Sequence, residues 1–173
     1  MAEHISRVLI DEAEIAQMVR ELAARISHDY AGKRLLLVGV LKGAYVFLAD
    51  LARALRIPCE VEFVRVTSYR ESMQSGELEI LQDIAQPLED YDVIVVEDIL
   101  DSGRTLSAML AHLREKNPRS LALCALLDKP ACRQVPLQAD YVGCEIPDEF
   151  VVGYGLDYAQ RYRSLPYIGV LGL

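Results

Sequence analysis

The sequence predicts an α/β fold in which a central, mostly parallel, twisted sheet is flanked by helices. Short apolar runs alternate with segments of helical spacing along the chain, as in folds with a parallel sheet. The β-branched run at residues 93–96 is typical of a parallel strand buried on both faces. Because the chain has 173 residues and no internal repeat or long linker, we expect residues 1–173 to form one domain.

The N-terminal half predicts two helices and three strands. Asp11 can cap a helix with an apolar stripe at Ile15, Val19, Leu22 and Ile26, and Gly32 can stop it. A second helix is expected over residues 44–55, before Pro58. Strands are expected over residues 35–40, 61–66 and 78–81, the last after a polar segment that predicts a mobile loop.

The C-terminal half continues the alternation and then becomes irregular. The strand at residues 93–96 stops at two acids and is followed by a helix from about Arg104, and residues 121–127 predict the next buried strand. Beyond them we expect only brief strands, near Tyr141 and Tyr167.

Charge and composition argue against several classes of protein. The net charge of −8 disfavours nucleic-acid binding, which needs a basic surface. No apolar run is long enough to span a bilayer, and residues 1–7 do not resemble a signal peptide, so we expect a cytoplasmic protein without membrane contact. The four cysteines form no C-x-x-C pair and lie at no metal-ligand spacing from a histidine, which disfavours a zinc site.

The most informative segment is residues 93–106, where an apolar strand leads into acids and a serine–glycine turn before a helix. Ligands of open α/β sheets bind beyond the carboxyl ends of strands. Residues 102–105 (Ser-Gly-Arg-Thr) can present backbone N–H groups to a terminal phosphate. Glu97 and Asp98 can accept hydrogen bonds from ribose hydroxyls or bind magnesium. The segment therefore suits a ribose 5-phosphate, although a capping Asp101 beside a solvated strand end is the simpler alternative.

This segment resembles the phosphoribosyl pyrophosphate signature of type I phosphoribosyltransferases. Further segments resemble the hypoxanthine-guanine branch, in the same order along nearly the whole chain. Residues 41–43 resemble its pyrophosphate loop, and Ser68-Tyr69 resembles the start of its catalytic loop. Residues 128–130 resemble its purine-contacting lysine region, residues 150–158 resemble its base pocket, and residues 162–163 resemble the segment with its trailing arginine. The resemblance implies Mg²⁺-dependent transfer of a phosphoribosyl group from phosphoribosyl pyrophosphate to hypoxanthine or guanine, forming IMP or GMP and pyrophosphate.

The resemblance also implies roles on the sugar and phosphate side. Asp101 would take the purine N7 proton, a role that suits an aspartate whose pKa is raised by burial or by neighbouring acids. Glu97 and Asp98 would hold the ribose hydroxyls and bind metal. The residues around the 5′-phosphate would be Asp101, Ser102, Gly103, Arg104 and Thr105, with no side-chain role assigned to Arg104.

On the base and pyrophosphate side, Lys129 would donate to the purine O6, Phe150 would stack on the base, and Val151 would offer backbone groups to the base edge. Asp157 would bind a magnesium ion near the pyrophosphate, and Arg163 would reach the pyrophosphate as a forked donor. The resemblance implies a small hood over the base formed by residues from about 130 to 173, and a homodimer or homotetramer.

Two loops complete the implied site. Lys42 and Gly43 would present N–H groups to pyrophosphate, where members of the family often have a non-proline cis peptide; the isomer of the Lys42–Gly43 bond is left open. Ser68, Tyr69 and the polar residues up to Gly76 would close over the site and exclude water from an oxocarbenium-like sugar. Cys132-Arg133 departs from the basic pair of many bacterial members but keeps the arginine.

Two other functions remain open at this stage. A transferase that prefers xanthine or another 6-oxopurine would need the same residues, because the contacts at C2 come largely from backbone carbonyls near Asp157. A regulatory protein that keeps this fold but senses nucleotide or binds RNA is the alternative from another class. The acidic net charge disfavours RNA, and the presence of Glu97, Asp98, Asp101, Lys129 and Asp157 together disfavours an inactive sensor.

Overall fold

The computed structural model describes residues 4–68 and 78–172, with the side chain of Ser68 excepted. Within these ranges there are three α-helices, α1 (Glu12–Asp29), α2 (Tyr45–Ala54) and α3 (Arg104–Arg114). The strands of these ranges are β1 (His4–Ile10), β2 (Leu35–Leu41), β3 (Cys59–Ser68), β4 (Leu78–Gln82), β5 (Asp92–Leu100), β6 (Ser120–Asp128), β7 (Tyr141–Glu145), β8 (Val151–Val152) and β9 (Ile168–Gly172). No helix in the described part of the chain is both long and apolar enough to cross a membrane.

A six-stranded sheet forms the centre of the molecule, in the order β4-β3-β2-β5-β6-β7. Its neighbouring strands from β3 to β7 all pair in parallel, and only β4 at the edge pairs antiparallel, with β3. The predicted α/β fold with a mostly parallel sheet is therefore confirmed. The central strands are apolar along both faces because helices cover both, so their sequences show no alternation.

The helices divide between the two faces of this sheet. Alternate residues of the central strands face opposite sides of the sheet. Leu37 and Ile94 pack with α1 and α2, whereas their neighbours Val38 and Val95 pack with α3. The helix α1 begins with the predicted cap, in which the Asp11 carboxylate accepts from the Glu14 N–H and the Glu14 carboxylate accepts from the Asp11 N–H, both at 2.8 Å.

The chain leaves the two central strands in opposite directions. From β2 it crosses through α2 to β3 on one side, and from β5 it crosses through α3 to β6 on the other. Right-handed crossovers in opposite directions place their helices on opposite faces, which leaves a crevice between the carboxyl ends of β2 and β5. The loops that follow these two strands begin at Lys42 and Asp101, so the topology brings both predicted phosphate-binding loops to one crevice.

A second, smaller sheet has the order β1-β9-β8, and both of its pairings are antiparallel. Its middle strand is C-terminal, but one edge is the N-terminal strand β1, which the sequence analysis did not predict. The smaller sheet thus joins the C-terminal strands β8 and β9 to the N-terminal strand β1. Successive residues of β1 are irregularly paired, and its exposure does not alternate, which explains why its sequence carries little strand signal.

One sequence-based boundary is wrong in a way that matters for function. The strand β5 does not stop at Glu97 and Asp98 but continues to Leu100, because Glu97, Ile99 and Leu100 still pair with β6. The two acids are therefore held by the sheet itself rather than by a turn.

The central sheet should dominate the stability of the fold. Leu37 in β2 is fully buried, and Leu81 in β4 is 51% exposed. We predict that Leu37→Ala lowers the free energy of unfolding by about 2–5 kcal/mol, because it removes buried methyl groups and leaves a cavity. The matched variant Leu81→Ala should change the free energy of unfolding by no more than about 0.5 kcal/mol. Urea unfolding followed by circular dichroism measures both, and equal losses would contradict this account of the core.

Candidate functional site

A cleft of about 670 Å³ opens at the crevice between the carboxyl ends of β2 and β5. Thirteen of the sixteen predicted site residues line it: Lys42, Gly43, Glu97, Asp98, Asp101, Ser102, Gly103, Thr105, Lys129, Phe150, Val151, Asp157 and Arg163. Arg104 is exposed and does not line the cleft, in keeping with the absence of a side-chain role for it. Tyr69 lies outside the described residues, together with the rest of the predicted lid up to Gly76, and so does the side chain of Ser68.

The turn between β5 and α3 forms the floor of one end of the cleft. Gly103 has a φ of 78°, a left-handed conformation that suits glycine, and α3 begins at the next residue. The Ser102 N–H donates to the Asp101 carboxylate, and the Ser102 hydroxyl accepts from the Arg104 N–H at 3.4 Å. Because the first N–H groups of a helix lack intrahelical partners and carry the positive end of its dipole, this turn can bind a phosphate.

Arg133 supports this turn from below, a role that the sequence analysis did not identify. Its Nε donates to the Asp101 carbonyl at 3.0 Å, and its guanidinium pairs with the Asp128 carboxylate and donates to the Leu137 carbonyl. The backbone N–H of Gln134 also donates to the Ser102 carbonyl at 3.0 Å. The only sequence signal was that an arginine follows the Asp128-Lys129-Pro130 segment, which does not reveal what it contacts.

Glu97 and Asp98 lie at the centre of the cleft. Burial raises the pKa of Glu97 well above its usual range, and the adjacent Asp98 carboxylate raises it further. Burial also raises the pKa of Asp98, although the Ile99 N–H donates to its carboxylate at 2.7 Å. Two buried neighbouring carboxylates repel each other, so a cation or donated hydroxyl groups would be bound favourably there.

The loop after β2 packs directly on Asp98. A Cβ atom at position 43 would lie 2.0 Å from Asp98 Oδ2, so only glycine permits this close approach. A non-proline cis peptide is present in the loop, but it joins Leu41 to Lys42, one bond before the position considered in the sequence analysis.

Asp157, Gln160 and Arg163 form a network on the side of the cleft near Lys42. Arg163 Nη2 lies 3.1 Å from Asp157 Oδ1, Arg163 Nη1 donates to the Gly155 carbonyl at 2.7 Å, and Lys42 Nζ donates to Gln160 Oε1 at 3.2 Å. Arg163 Nε is buried without a hydrogen-bond partner among the described residues. This wall therefore presents two cationic side chains and an unsatisfied donor, which favours an anionic ligand.

Lys129 and Phe150 also line the cleft. The side chain of Lys129 is buried, and its Nζ lies 3.8 Å from Asp148 Oδ1, which also accepts a hydrogen bond from the Cys132 thiol at 3.1 Å. Phe150 is 47% exposed and contacts the edge of Tyr158, with ring centroids 5.7 Å apart. A buried ammonium and an exposed aromatic ring that line one cleft can together recognise a planar ring that carries an acceptor oxygen.

A metal ion at this site would depend on its ligand for part of its coordination. Among residues 4–68 and 78–172, no three His, Cys, Asp or Glu side chains form a group able to hold a metal. Magnesium usually takes only one or two carboxylates and completes its octahedron with water and substrate phosphates. The carboxylate pair Glu97 and Asp98 and the separate Asp157 fit that mode of binding.

Comparison with known proteins agrees with this geometry. The family model described as phosphoribosyl transferase domain matches residues 9–159. The hypoxanthine phosphoribosyltransferase of Buchnera aphidicola subsp. Schizaphis graminum is 46% identical over 170 residues, covering 96% of each chain. The hypoxanthine-guanine phosphoribosyltransferase of Bacillus subtilis is 47% identical over 172 residues, covering 99% of this chain and 96% of the relative.

Similarity extends to solved structures. The crystal structure of a hypoxanthine phosphoribosyltransferase from Staphylococcus aureus superposes with a TM-score of 0.94 at 43% identity, covering 97% of this chain and 92% of the other. Family model, sequence relatives and fold thus agree over nearly the whole length. The chain belongs to the hypoxanthine-guanine phosphoribosyltransferases of the phosphoribosyl transferase domain family.

Proposed function

We propose that this chain transfers a phosphoribosyl group from phosphoribosyl pyrophosphate to hypoxanthine or guanine, forming IMP or GMP and pyrophosphate in purine salvage. One observation carries the proposal. A single cleft is lined by the glycine turn before α3, the acids Glu97 and Asp98, the cations Lys42 and Arg163, and Lys129 with Phe150. These are the four recognition elements that the two substrates require.

The residues divide the substrates among them. The turn from Asp101 to Thr105 binds the 5′-phosphate, and Glu97 and Asp98 accept hydrogen bonds from the ribose hydroxyls. The wall near Lys42, including Gly43 and Arg163, binds the pyrophosphate.

The base lies against Phe150, with its edge on the backbone of Val151 and its O6 oxygen accepting from Lys129. In this pose the reacting nitrogen of the base faces the sugar carbon, and the protein contributes mainly orientation.

Asp101 completes the chemistry. As N9 of the base bonds to C1′ of the ribose, the bond from C1′ to pyrophosphate breaks, and the Asp101 carboxylate accepts the proton from N7. The Asp101 side chain is exposed in the cleft, so it is open to a base bound there. Burial raises the pKa of the nearby acids Glu97 and Asp98.

Magnesium would be held by Glu97 and Asp98 on one side and by Asp157 on the other, together with substrate oxygens. When bound, it would neutralise charge that develops on the departing pyrophosphate. The carboxylate pair supports this assignment because both acids line the cleft next to each other, and magnesium usually takes only one or two protein carboxylates.

The wider organisation is also part of the proposal. Residues 130–173, joined by β1, would form the hood over the base within one domain that spans the chain. We expect a homodimer or homotetramer and a cytoplasmic location.

The function is tested by nucleotide formation in vitro. Purified protein with phosphoribosyl pyrophosphate, magnesium and hypoxanthine or guanine should form IMP or GMP with release of pyrophosphate, and chelation of magnesium should stop the reaction. The same assay with xanthine tests the alternative that the enzyme prefers xanthine to hypoxanthine and guanine. Failure with all three bases would refute the proposed transfer.

We predict that Asp101→Asn lowers kcat by about 10²–10⁴-fold, the usual contribution of a general base. Asparagine keeps the size and can still accept from the Ser102 N–H, so the turn should remain intact. Steady-state kinetics with guanine measures the loss, and unfolding by urea should be unchanged. A kcat within about threefold of wild type would remove Asp101 from this role.

We predict that Lys129 discriminates 6-oxopurines from adenine. Its ammonium donates to O6 but faces a donor amine in adenine, and an unpaired buried donor costs roughly 1–3 kcal/mol. The kcat/KM for adenine should therefore lie far below that for guanine. The variant Lys129→Gln should lower the ratio of kcat/KM for guanine to kcat/KM for adenine.

Lys33→Gln, at an exposed lysine that contacts Tyr30, is the matched control and should leave the ratio unchanged. Comparable use of adenine and guanine by the wild type would contradict the assignment.

A further inference from the structure

Tyr154 lies near the start of residues 153–163, which we call the C-terminal loop. Tyr154 has a φ of 51°, and the glycines on both sides of it have φ values of 100°. Such a run of left-handed residues persists only where surrounding contacts hold it. The ring of Tyr154 is nevertheless buried, with only 6% of the residue exposed, although its backbone has a conformation that residues other than glycine rarely adopt.

The hydroxyl of Tyr154 joins this loop to α2. It donates to Asp50 Oδ2 at 2.5 Å, across 104 positions of sequence. Burial raises the pKa of Tyr154, and the hydrogen bond to Asp50 raises it further, so the phenol stays protonated and can keep donating. Charge-assisted hydrogen bonds of this kind are stronger and shorter than neutral ones.

Both segments joined by this bond carry groups that face the pyrophosphate side of the cleft. The helix α2 begins at Tyr45, two residues after Gly43. The C-terminal loop carries Asp157 and Arg163.

Tyr154, Asp50 and Arg163 also line a smaller cavity of about 390 Å³, and Arg163 lines the main cleft as well. Tyr154 and Asp50 do not line the main cleft, so their hydrogen bond lies outside the space proposed for the substrates.

A second contact shows how closely the C-terminal loop packs on the loop that precedes α2. A Cβ atom at position 155 would lie 2.2 Å from the Gly43 carbonyl oxygen, so the two backbones touch. The Gly155 carbonyl accepts from Arg163 Nη1 at 2.7 Å. A shift of the C-terminal loop relative to α2 would thus move Gly43 and Arg163 apart or together directly.

From this arrangement, and resting on the proposed function, we infer that Tyr154 is a positioning residue. Its hydrogen bond to Asp50 holds Arg163 and Asp157 in register with the loop at Lys42 and Gly43, so that both walls contact the same pyrophosphate group. The bond touches no substrate. Its loss should weaken binding of ligands that carry pyrophosphate and leave binding of base and nucleotide monophosphate as it was.

The test is Tyr154→Phe, which keeps the ring and removes the hydroxyl. We expect the KM for phosphoribosyl pyrophosphate, and for pyrophosphate in the reverse reaction, to rise roughly 5- to 20-fold, on the order of the effect of losing one hydrogen bond. The KM for guanine and the Kd for GMP should stay within about twofold of wild type.

Tyr141→Phe is the matched control. Tyr141 is also 6% exposed, and its hydroxyl also donates to a carboxylate, Asp29 Oδ2, at 2.6 Å, but this bond joins β7 to α1, which carry none of the predicted site residues. This variant should lose similar stability without the selective rise in KM. If Tyr141→Phe raised the KM for phosphoribosyl pyrophosphate equally, or if Tyr154→Phe raised all constants together, the effect would be general loosening and the inference would be wrong.

The partner provides an independent route. Asp50→Ala removes the acceptor from α2, and the double variant with Tyr154→Phe should bind pyrophosphate no more weakly than the weaker single variant, because one bond is lost in each case. Additive losses would overturn the inference. Calorimetry of magnesium pyrophosphate binding measures the same differences in affinity without turnover. A catalytically inactive wild type would refute the proposed transfer. The Kd values for magnesium pyrophosphate would still decide whether Tyr154 has the positioning role.

Discussion

The close approach of the loop after β2 to the end of β5 is the constraint on which the site depends. These two strands are neighbours in the centre of the sheet, and both are buried on both faces. Because the chain diverges from them in opposite directions, their carboxyl ends are left uncovered by helices. Gly43 then lies against Asp98 without room for a Cβ atom, so the acids of one strand and the anion-binding loop of the other share one space.

The remaining parts of the site are attached to this centre by hydrogen bonds from outside the sheet. Arg133 holds the carbonyl of Asp101 and the carboxylate of Asp128, which directly precedes Lys129. The phosphate turn and the base-recognising lysine are thereby linked through a single guanidinium, whose forked donors a lysine could not replace. The Lys129 N–H adds a backbone link to the Leu100 carbonyl at 2.9 Å.

Much of this could be predicted from the sequence, for identifiable reasons. The buried strands and amphipathic helices follow from apolar patterning, and the phosphate turn follows from a strand, acids and a glycine in order. The continuation of β5 through Glu97 and Asp98 could not be predicted, because acids at a strand end look like a turn. Neither could Arg133, Tyr154 or β1, whose roles depend on partners far away in sequence, such as Asp50 and β9. Patterning reports local environment, whereas these residues act through tertiary contacts.

The hydrogen bond from Cys132 to Asp148 has a consequence for the chemistry of the thiols. That bond raises the pKa of the Cys132 thiol, although the side chain is partly exposed near the base pocket. Burial also raises the pKa of the thiols of Cys59, Cys124 and Cys144. For Cys124 the pKa is raised to about 12. Because the thiolate is the reactive form, all four cysteines should react slowly with alkylating reagents and peroxide at neutral pH. Binding of a ligand that draws Asp148 away from Cys132 would make that one thiol a selective position for labelling.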